Sequence, residues 1–377
     1  MVQRNKAPKN KLTMKVLAIV PSVYDTSPGQ RFRLEQWEPL LREYGVEVTY
    51  EPFESPELHQ VIYRSGEYMK KVKHVLRALN RRRNLLNRVK DYDLVYVFRE
   101  AALLGPAWFE RRIAASGVPM IFDFDDAVFV KYKSPTNGYL SHLKFPGKTA
   151  TTVRLSAHVM AGNSFLERYS RKYNQNVTVI PTTIDTDKYK PVEKAEAQNV
   201  VTIGWSGSHS TVQHLDTLRD TLQELAKNKN FRLRVIGTPE YELTGVKTES
   251  IRWRSETEVL DLKKIDIGIM PLPNDEWSMG KCGLKALQYM ALGLPTVCSS
   301  IGVNKDIIRD AENGFLADSK NEWIDKLSRL LDSAQLRKTL GSKARATVEE
   351  KYSARSQAPR VYQLFKETIE SRSLKTK

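Results

Sequence analysis

Cysteine is nearly absent: Cys282 and Cys298 are the two thiols of a 377-residue chain, too few for a disulfide framework and without the paired spacing of a cysteine zinc site. Long apolar runs are missing too. The apolar stretch nearest the N-terminus, residues 16–20, falls far short of the roughly 18–20 residues that a membrane-crossing helix needs. It also lacks the length and the small-residue cleavage site of a signal peptide. These absences exclude an integral helical membrane protein and point to a cytoplasmic, thiol-reduced one. His74, His142, His158, His209 and His214 show no metal-ligand spacing, and no nucleic-acid-binding motif is present, so neither a bound metal, a cofactor nor nucleic acid is expected. No short repeat or low-complexity tract occurs, which excludes a solenoid.

Acidic residues are in deficit. Sixty Lys plus Arg against 44 Asp plus Glu leave a formal charge of +16, which attracts polyanions or an anionic membrane surface. Ten of the basic residues crowd into residues 64–90 against a single acid, Glu67. Val72, Val75, Leu76, Leu79, Leu86 and Val89 interleave with them at helical spacing. That pattern suits an amphipathic helix lying on an anionic membrane, with Arg81, Arg82 and Arg83 on its basic face, or a helix docked on its own domain with a solvated basic side.

What is present is alternation. With 41% apolar and 28% charged residues the chain is too long for one core and divides naturally into two. Strand patterns at 16–20, 46–50, 94–98, 119–124 and 177–180 alternate with helical patterns at 31–44, 106–115 and 163–173, the last capped by Asn163 or Ser164. A second series has strands at 200–205, 232–236, 251–253, 267–271 and 296–299 and helices at 211–227, 256–264 and 284–292. This order predicts an α/β protein with two doubly wound halves, whose ligands bind beyond the carboxyl ends of the strands. The expected divisions are a disordered basic extension at 1–13, a first domain at 14–190, a second at 191–352 and a terminal segment at 353–377.

Three segments carry chemistry. Ser27-Pro28-Gly29-Gln30-Arg31-Phe32-Arg33 lies between the first strand and the first helix, where Gly29 is either a plain turn or a place where backbone N–H groups meet a phosphate. Asp123-Phe124-Asp125-Asp126 follows a strand, so its carboxylates emerge at the sheet edge. It looks like the nucleophile motif of haloacid-dehalogenase-type phosphatases, or the metal-binding Asp-x-Asp of single-domain glycosyltransferases, or it is a solvated acidic turn. The run from Lys281 through Gly283, Lys285 and Gln288 to Gly293 and Pro295 is the most specific: a helix N-terminus with two lysines clamps a diphosphate, and a side-chain amide one turn on can bind a sugar hydroxyl.

This last run resembles the donor-binding signature of glycosyltransferase family 4, retaining enzymes of the two-Rossmann GT-B fold. Asn163-Ser164, the stretch from Val179 to Asp185, Gly204-Trp205-Ser206-Gly207-Ser208 and the segments around Gly302 and Gly314 fall in family order. The resemblance implies a metal-independent transfer of a sugar from a nucleotide sugar to a lipid-linked or glycan acceptor. It also implies a terminal helix, 353–369, that crosses back to the first domain. It places Asp125, Asp126, Lys281 and Lys285 at the reacting centre. Gly29, Ser208, His209, Ser210, Thr211, Trp253, Arg254, Glu276, Gly280 and Gln288 fall around the donor, and Arg31 and Arg99 on the acceptor side. The family's paired glutamates are Gly280 and Gln288 here, with Asp275 or Glu276 as substitutes for the first. Its phosphate-binding arginine is Trp205, and its active-site histidine is Asp125. Those departures leave open the alternative of a catalytically silent protein that binds a nucleotide or an anionic glycan.

Overall fold

The computed structural model describes residues 13–62, 64, 66–130, 145, 147–191, 200–208 and 211–375. The basic extension expected at 1–13 lies, except for Thr13, outside them. The first half is a six-stranded sheet in the order β2-β1-β3-β4-β5-β6, made of β1 Met14–Val20, β2 Val46–Pro52, β3 Leu94–Phe98, β4 Met120–Phe124, β5 His158–Ala161 and β6 Val177–Val179. The second is a six-stranded sheet in the order β12-β11-β10-β7-β8-β9, made of β7 Val201–Ser206, β8 Phe231–Ile236, β9 Lys247–Ile251, β10 Ile267–Met270, β11 Thr296–Ser299 and β12 Phe315–Ala317. Every pairing in both sheets is parallel. The central strands read as unbroken apolar runs because helices cover both faces; all five residues of β3 are buried.

The alternation expected from the sequence is therefore present, with four differences, the first being that the strand expected at 251–253 lies earlier, at Lys247–Ile251. Strands β5 and β12, of four and three residues, are too short to show a period and escaped sequence reading. The helix expected at 211–227 is two, Val212–Asp216 and Arg219–Asn228. The helix expected at 31–44 is broken: a short turn Pro28–Gln30 leads into a widened turn Arg31–Glu35, in which Arg33 leaves helical torsions at φ −123° and ψ −109°, before the helix Gln36–Glu43 resumes.

The cause of that break is a buried ion pair. Arg33 is fully buried, and its Nε and Nη2 donate to the two oxygens of Asp123 at 2.6 Å each, while Nη1 donates to the Ile180 carbonyl at 2.7 Å. The Tyr96 hydroxyl also donates to Asp123. Two charges in a dry core persist only with this degree of satisfaction. The kink lets neighbouring side chains diverge, so that Phe32 enters the core of the second half beside Tyr189 and Ile184. The terminal helix Ala354–Lys375 runs back onto the first sheet, where Tyr362 stacks on Tyr44 at 4.9 Å and Phe365 meets Tyr96.

Replacing Asp123 by Ala leaves the Arg33 charge buried and unpaired, and we expect a loss of about 3–5 kcal/mol in the unfolding free energy of the first half, read by urea denaturation. A loss below about 1 kcal/mol, the worth of an exposed pair, would show that the kink is held by something else.

Candidate functional site

Strand order reverses between β1 and β3 in the first sheet and between β7 and β10 in the second. Loops on either side of such a reversal diverge and leave a crevice. The two crevices face each other across a cleft of about 670 Å³. From the first half it is lined by Gly29, Arg99, Asp125 and Asp126, and from the second by Ser206, Gly207, Ser208, Thr211, His214, Trp253, Trp277, Lys281, Lys285 and Gln288.

On the first side, geometry separates the three carboxylates of the acidic motif. Asp123 is sealed against Arg33, whereas Asp125 and Asp126 reach the cleft. Arg99, just past β3, has φ +58°, a conformation that costs a side-chain-bearing residue about 1–3 kcal/mol and concentrates at functional sites. From there its Nε donates to Asp125 Oδ1 at 2.7 Å and its Nη2 to Asp126 Oδ2 at 3.4 Å. Burial works against the Arg99 charge, but Asp125 and Asp126 outweigh it and raise the guanidinium pKa. A Cβ at Gly29 would stand 2.7 Å from Arg99 Nη2 and 2.8 Å from Asp125 Oδ2. A side chain at 29 would therefore displace the tips of the Arg99–Asp125 pair from the positions they hold here.

On the second side, Gly283 at φ +71° caps the helix Leu284–Ala291, with Lys285 in its first turn. The Lys285 ammonium lies 4.6 Å from the ring centre of Trp205, a buried residue of β7. Among the described residues Lys285 has no hydrogen-bond or ion-pair partner. Burial, then the neighbouring Lys281, pushes its pKa down to about 7. His214 beside it is pushed down to about 4 by burial, Lys285 and Lys281. Lys281 itself pairs with Asp126 across the cleft at 2.9 Å and lies over the Trp277 ring at 4.6 Å. This corner of the cleft holds more positive charge than its carboxylates balance, as an anion site does.

Several expected residues lie elsewhere. Gly280 does not line the cleft; a Cβ there would meet Ala127 Cβ at 2.5 Å and Ala127 N at 2.8 Å, so it is a contact point between the halves. Asp275 caps the helix Glu276–Met279 through Ser278 N at 2.7 Å, and Glu276 faces away from the cleft lining. Arg254 is exposed outside it, and Arg252 takes its place. Arg31, expected on the acceptor side, is buried against Glu258 of the second half at 3.0 Å and Asp25 at 2.7 Å. Arg82 is not on a basic face: it is 3% exposed, donates to the Glu51 and Val20 carbonyls, and burial pushes its pKa down to about 10. Arg81 and Arg83 are exposed. His209 and Ser210 lie outside the described residues. Among the cleft residues missed are Trp277, His214, read as surface or packing, and Glu258, whose spacing resembles any acid in the first turn of a helix.

Residues 199–333 match the family model Glycosyl transferases group 1, so the second half is a domain of that kind. Among solved structures, sucrose-phosphate synthase from Thermosynechococcus elongatus is similar at 14% identity and TM-score 0.68, covering 95% of this chain and 100% of that one. HepE of Anabaena, solved with UDP-glucose, is similar at 15% identity and TM-score 0.63, covering 95% and 100%. The lipopolysaccharide outer core galactosyltransferase WaaB is similar at 14% identity and TM-score 0.60, covering 95% and 99%. At such identities the likeness shows the fold, GT-B. No curated protein matches the chain.

If Gly280 is a contact point, Gly280→Ala should push the halves apart and loosen the Lys281–Asp126 pair. We expect faster amide exchange over residues 276–283 with little change in the unfolding midpoint of either half; unchanged exchange there would remove Gly280 from the interface.

Proposed function

We propose that this GT-B glycosyltransferase moves a sugar, with retention and without a metal ion, from a nucleoside diphosphate to a hydroxyl of a lipid-linked or cell-envelope polysaccharide acceptor. The observation that carries the reading is Lys285: a cation without a counterion at a helix N-terminus, in a cleft where two switch points meet. A diphosphate there would accept from Lys285, from Lys281 and from backbone N–H groups of residues 283–285 at the helix N-terminus, and these same groups would stabilise the charge that grows on the diphosphate as the sugar leaves. Arg252 and Trp253 flank the place for the base, and Gln288 that for the ribose. HepE, solved with UDP-glucose, supports a nucleotide-sugar donor, and WaaB, a lipopolysaccharide galactosyltransferase, supports a saccharide acceptor.

Asp125 and Asp126 already face Arg99 and Lys281. Those cations stand where a divalent ion would have to be held, which supports metal-free chemistry, with the two carboxylates orienting sugar and acceptor hydroxyls. By the family resemblance, the acceptor attacks from the face the leaving group vacates and passes its proton to a diphosphate oxygen.

The acceptor's location follows from the basic helix Tyr68–Leu85, which buries Lys71, Ala78, Arg82 and Leu85 against its own domain. Turned outward are Tyr68, Met69, Val72 and Leu76, exposed by 69%, 83%, 55% and 60%, and they form one stripe at helical spacing beside Lys70, Lys73 and Arg77. An apolar stripe flanked by lysine and arginine fits an anionic lipid surface, each basic residue adding about 1 kcal/mol of attraction. No helix among the described residues is long and apolar enough to cross a membrane, so this contact would be peripheral, on the cytoplasmic face.

The donor reading is tested by calorimetry with sugar nucleotides across pH. Because Lys285 loses its proton near pH 7 in the empty site and a diphosphate favours the protonated form, affinity should be full below pH 7 and decline as pH rises above it. Lys285→Ala should weaken binding by about 1.5–3 kcal/mol at pH 6 and flatten the slope. Sugar transfer should survive chelation of divalent ions; a pH-independent affinity unaffected by Lys285→Ala would overturn the assignment.

For the surface, the paired change Met69→Glu and Leu76→Glu should abolish co-sedimentation with vesicles rich in phosphatidylglycerol while leaving donor binding intact. Equal sedimentation with neutral phosphatidylcholine vesicles, or none by the unaltered protein at low salt, would remove the membrane from the account.

A further inference from the structure

The cleft contains a buried carboxylate with no part in the family resemblance. Glu258, in the first turn of the helix Glu258–Leu262, is 5% exposed and lines the cleft. Its Oε2 accepts from Arg31 Nη2 at 3.0 Å and from the Tyr189 hydroxyl at 2.7 Å; its Oε1 accepts from Trp253 Nε1 at 2.9 Å and from Gln288 Nε2 at 3.2 Å. Gln288 Nε2 also donates to the Tyr189 hydroxyl at 3.1 Å. A carboxylate only accepts, and the Tyr189 proton is already committed to Glu258, so the amide nitrogen must be the end of Gln288 that faces both. Both amide protons are then used. The Gln288 carbonyl oxygen has no partner among the described residues and is left to the cleft.

We infer that Glu258 is a positioning residue for the donor ribose: it pins the Gln288 amide so that its oxygen accepts from a ribose hydroxyl, and through Arg31 it ties that arrangement to contact between the halves. The inference rests on the nucleotide-sugar reading above. It explains why a glutamine stands at 288, where the resemblance implies a glutamate. A second carboxylate within about 3 Å of Glu258 would repel it and raise one of the two pKa values, as like charges at that range do, whereas an amide presents an acceptor to the ribose and donors to Glu258. Arg31 comes from the other half and approaches Trp253 at 5.6 Å, so the residues at the place for the base and the ribose acceptor share one buried anchor.

The test is a charge swap read with UDP, GDP and ADP and their 2′-deoxy forms in calorimetry, with thermal unfolding as the folding control. For whichever ribonucleotide binds the unaltered protein, Gln288→Glu should weaken binding at least tenfold, and Glu258→Gln should cut the preference for ribose over deoxyribose several-fold. The double change, Glu258→Gln with Gln288→Glu, reinstates one carboxylate and one amide and should return affinity to within about threefold of the original. A purely structural role for Glu258 would not move the ribose-to-deoxyribose ratio. If Gln288→Glu binds as well as the original, or the double change is no better than the worse single one, the positioning role is overturned and the donor reading stands. If none of the three ribonucleotides binds the unaltered protein, the donor reading fails and the inference with it.

Discussion

Three consecutive residues, Arg31, Phe32 and Arg33, hold the halves in register. Because Arg33 is drawn out of helical torsions toward Asp123, its neighbours are free to leave the first domain: Phe32 packs among side chains of the second core, and Arg31 reaches Glu258. The buried pair in the first sheet and the contact between the halves are thus made by adjacent residues of one kinked turn. The other closures depend on the same register: Asn163 Nδ2 donates to the carbonyls of Lys281 and Met279 at 2.9 and 3.3 Å, and Lys281 meets Asp126.

Charge in the cleft is arranged around that closure. Where the resemblance implies an arginine, β7 carries Trp205, fully buried, and the Lys285 ammonium from the helix Leu284–Ala291 lies over its ring. An aromatic ring attracts a cation, so the tryptophan seats Lys285 at the cleft. The cation therefore stands at a helix N-terminus, where backbone N–H groups supplement it. It also lies close to Lys281, and the mutual repulsion of two ammonium groups is the second reason, after burial, that Lys285 holds its proton loosely.

How much of this was legible depends on the range of the interaction. The doubly wound halves follow from runs of four to seven residues and were readable, as was the clustering of Gly29, Asp125, Asp126, Lys281 and Lys285 at strand ends. The division of labour within Asp123-Phe124-Asp125-Asp126 was not, because what seals Asp123 is an arginine 90 positions away. Glu258 was invisible for the same reason, its deciding partner lying 227 positions off. Arg82 is a different case. Lys71, Ala78, Arg82 and Leu85 share one helical face, so the small Ala78 and apolar Leu85 mark the inner side locally. Three consecutive arginines drew attention to charge instead of phase.

The burial of Arg82 and Lys71 has a consequence for how the positive charge is used. Long basic side chains that turn inward and satisfy backbone carbonyls, as Arg82 does with Glu51 and Val20, remove cations from the surface while keeping the helix attached. The charge left outside is then concentrated on Lys70, Lys73, Arg77, Arg81 and Arg83, next to the apolar stripe and away from the cleft. Of the cleft's own cations, Arg99 and Lys281 are matched by Asp125 and Asp126, whereas the exposed Arg252 at its rim and the partly buried Lys285 have no ion-pair partner among the described residues. A single uncompensated lysine in a partly buried place distinguishes an anion bound there from one met at the solvated surface, because desolvation strengthens the attraction that salt screens outside. The positive charge of the helix Tyr68–Leu85 and that of Lys285 thus differ in kind: the first is spread over a screened outer face, the second is held in a partly buried place.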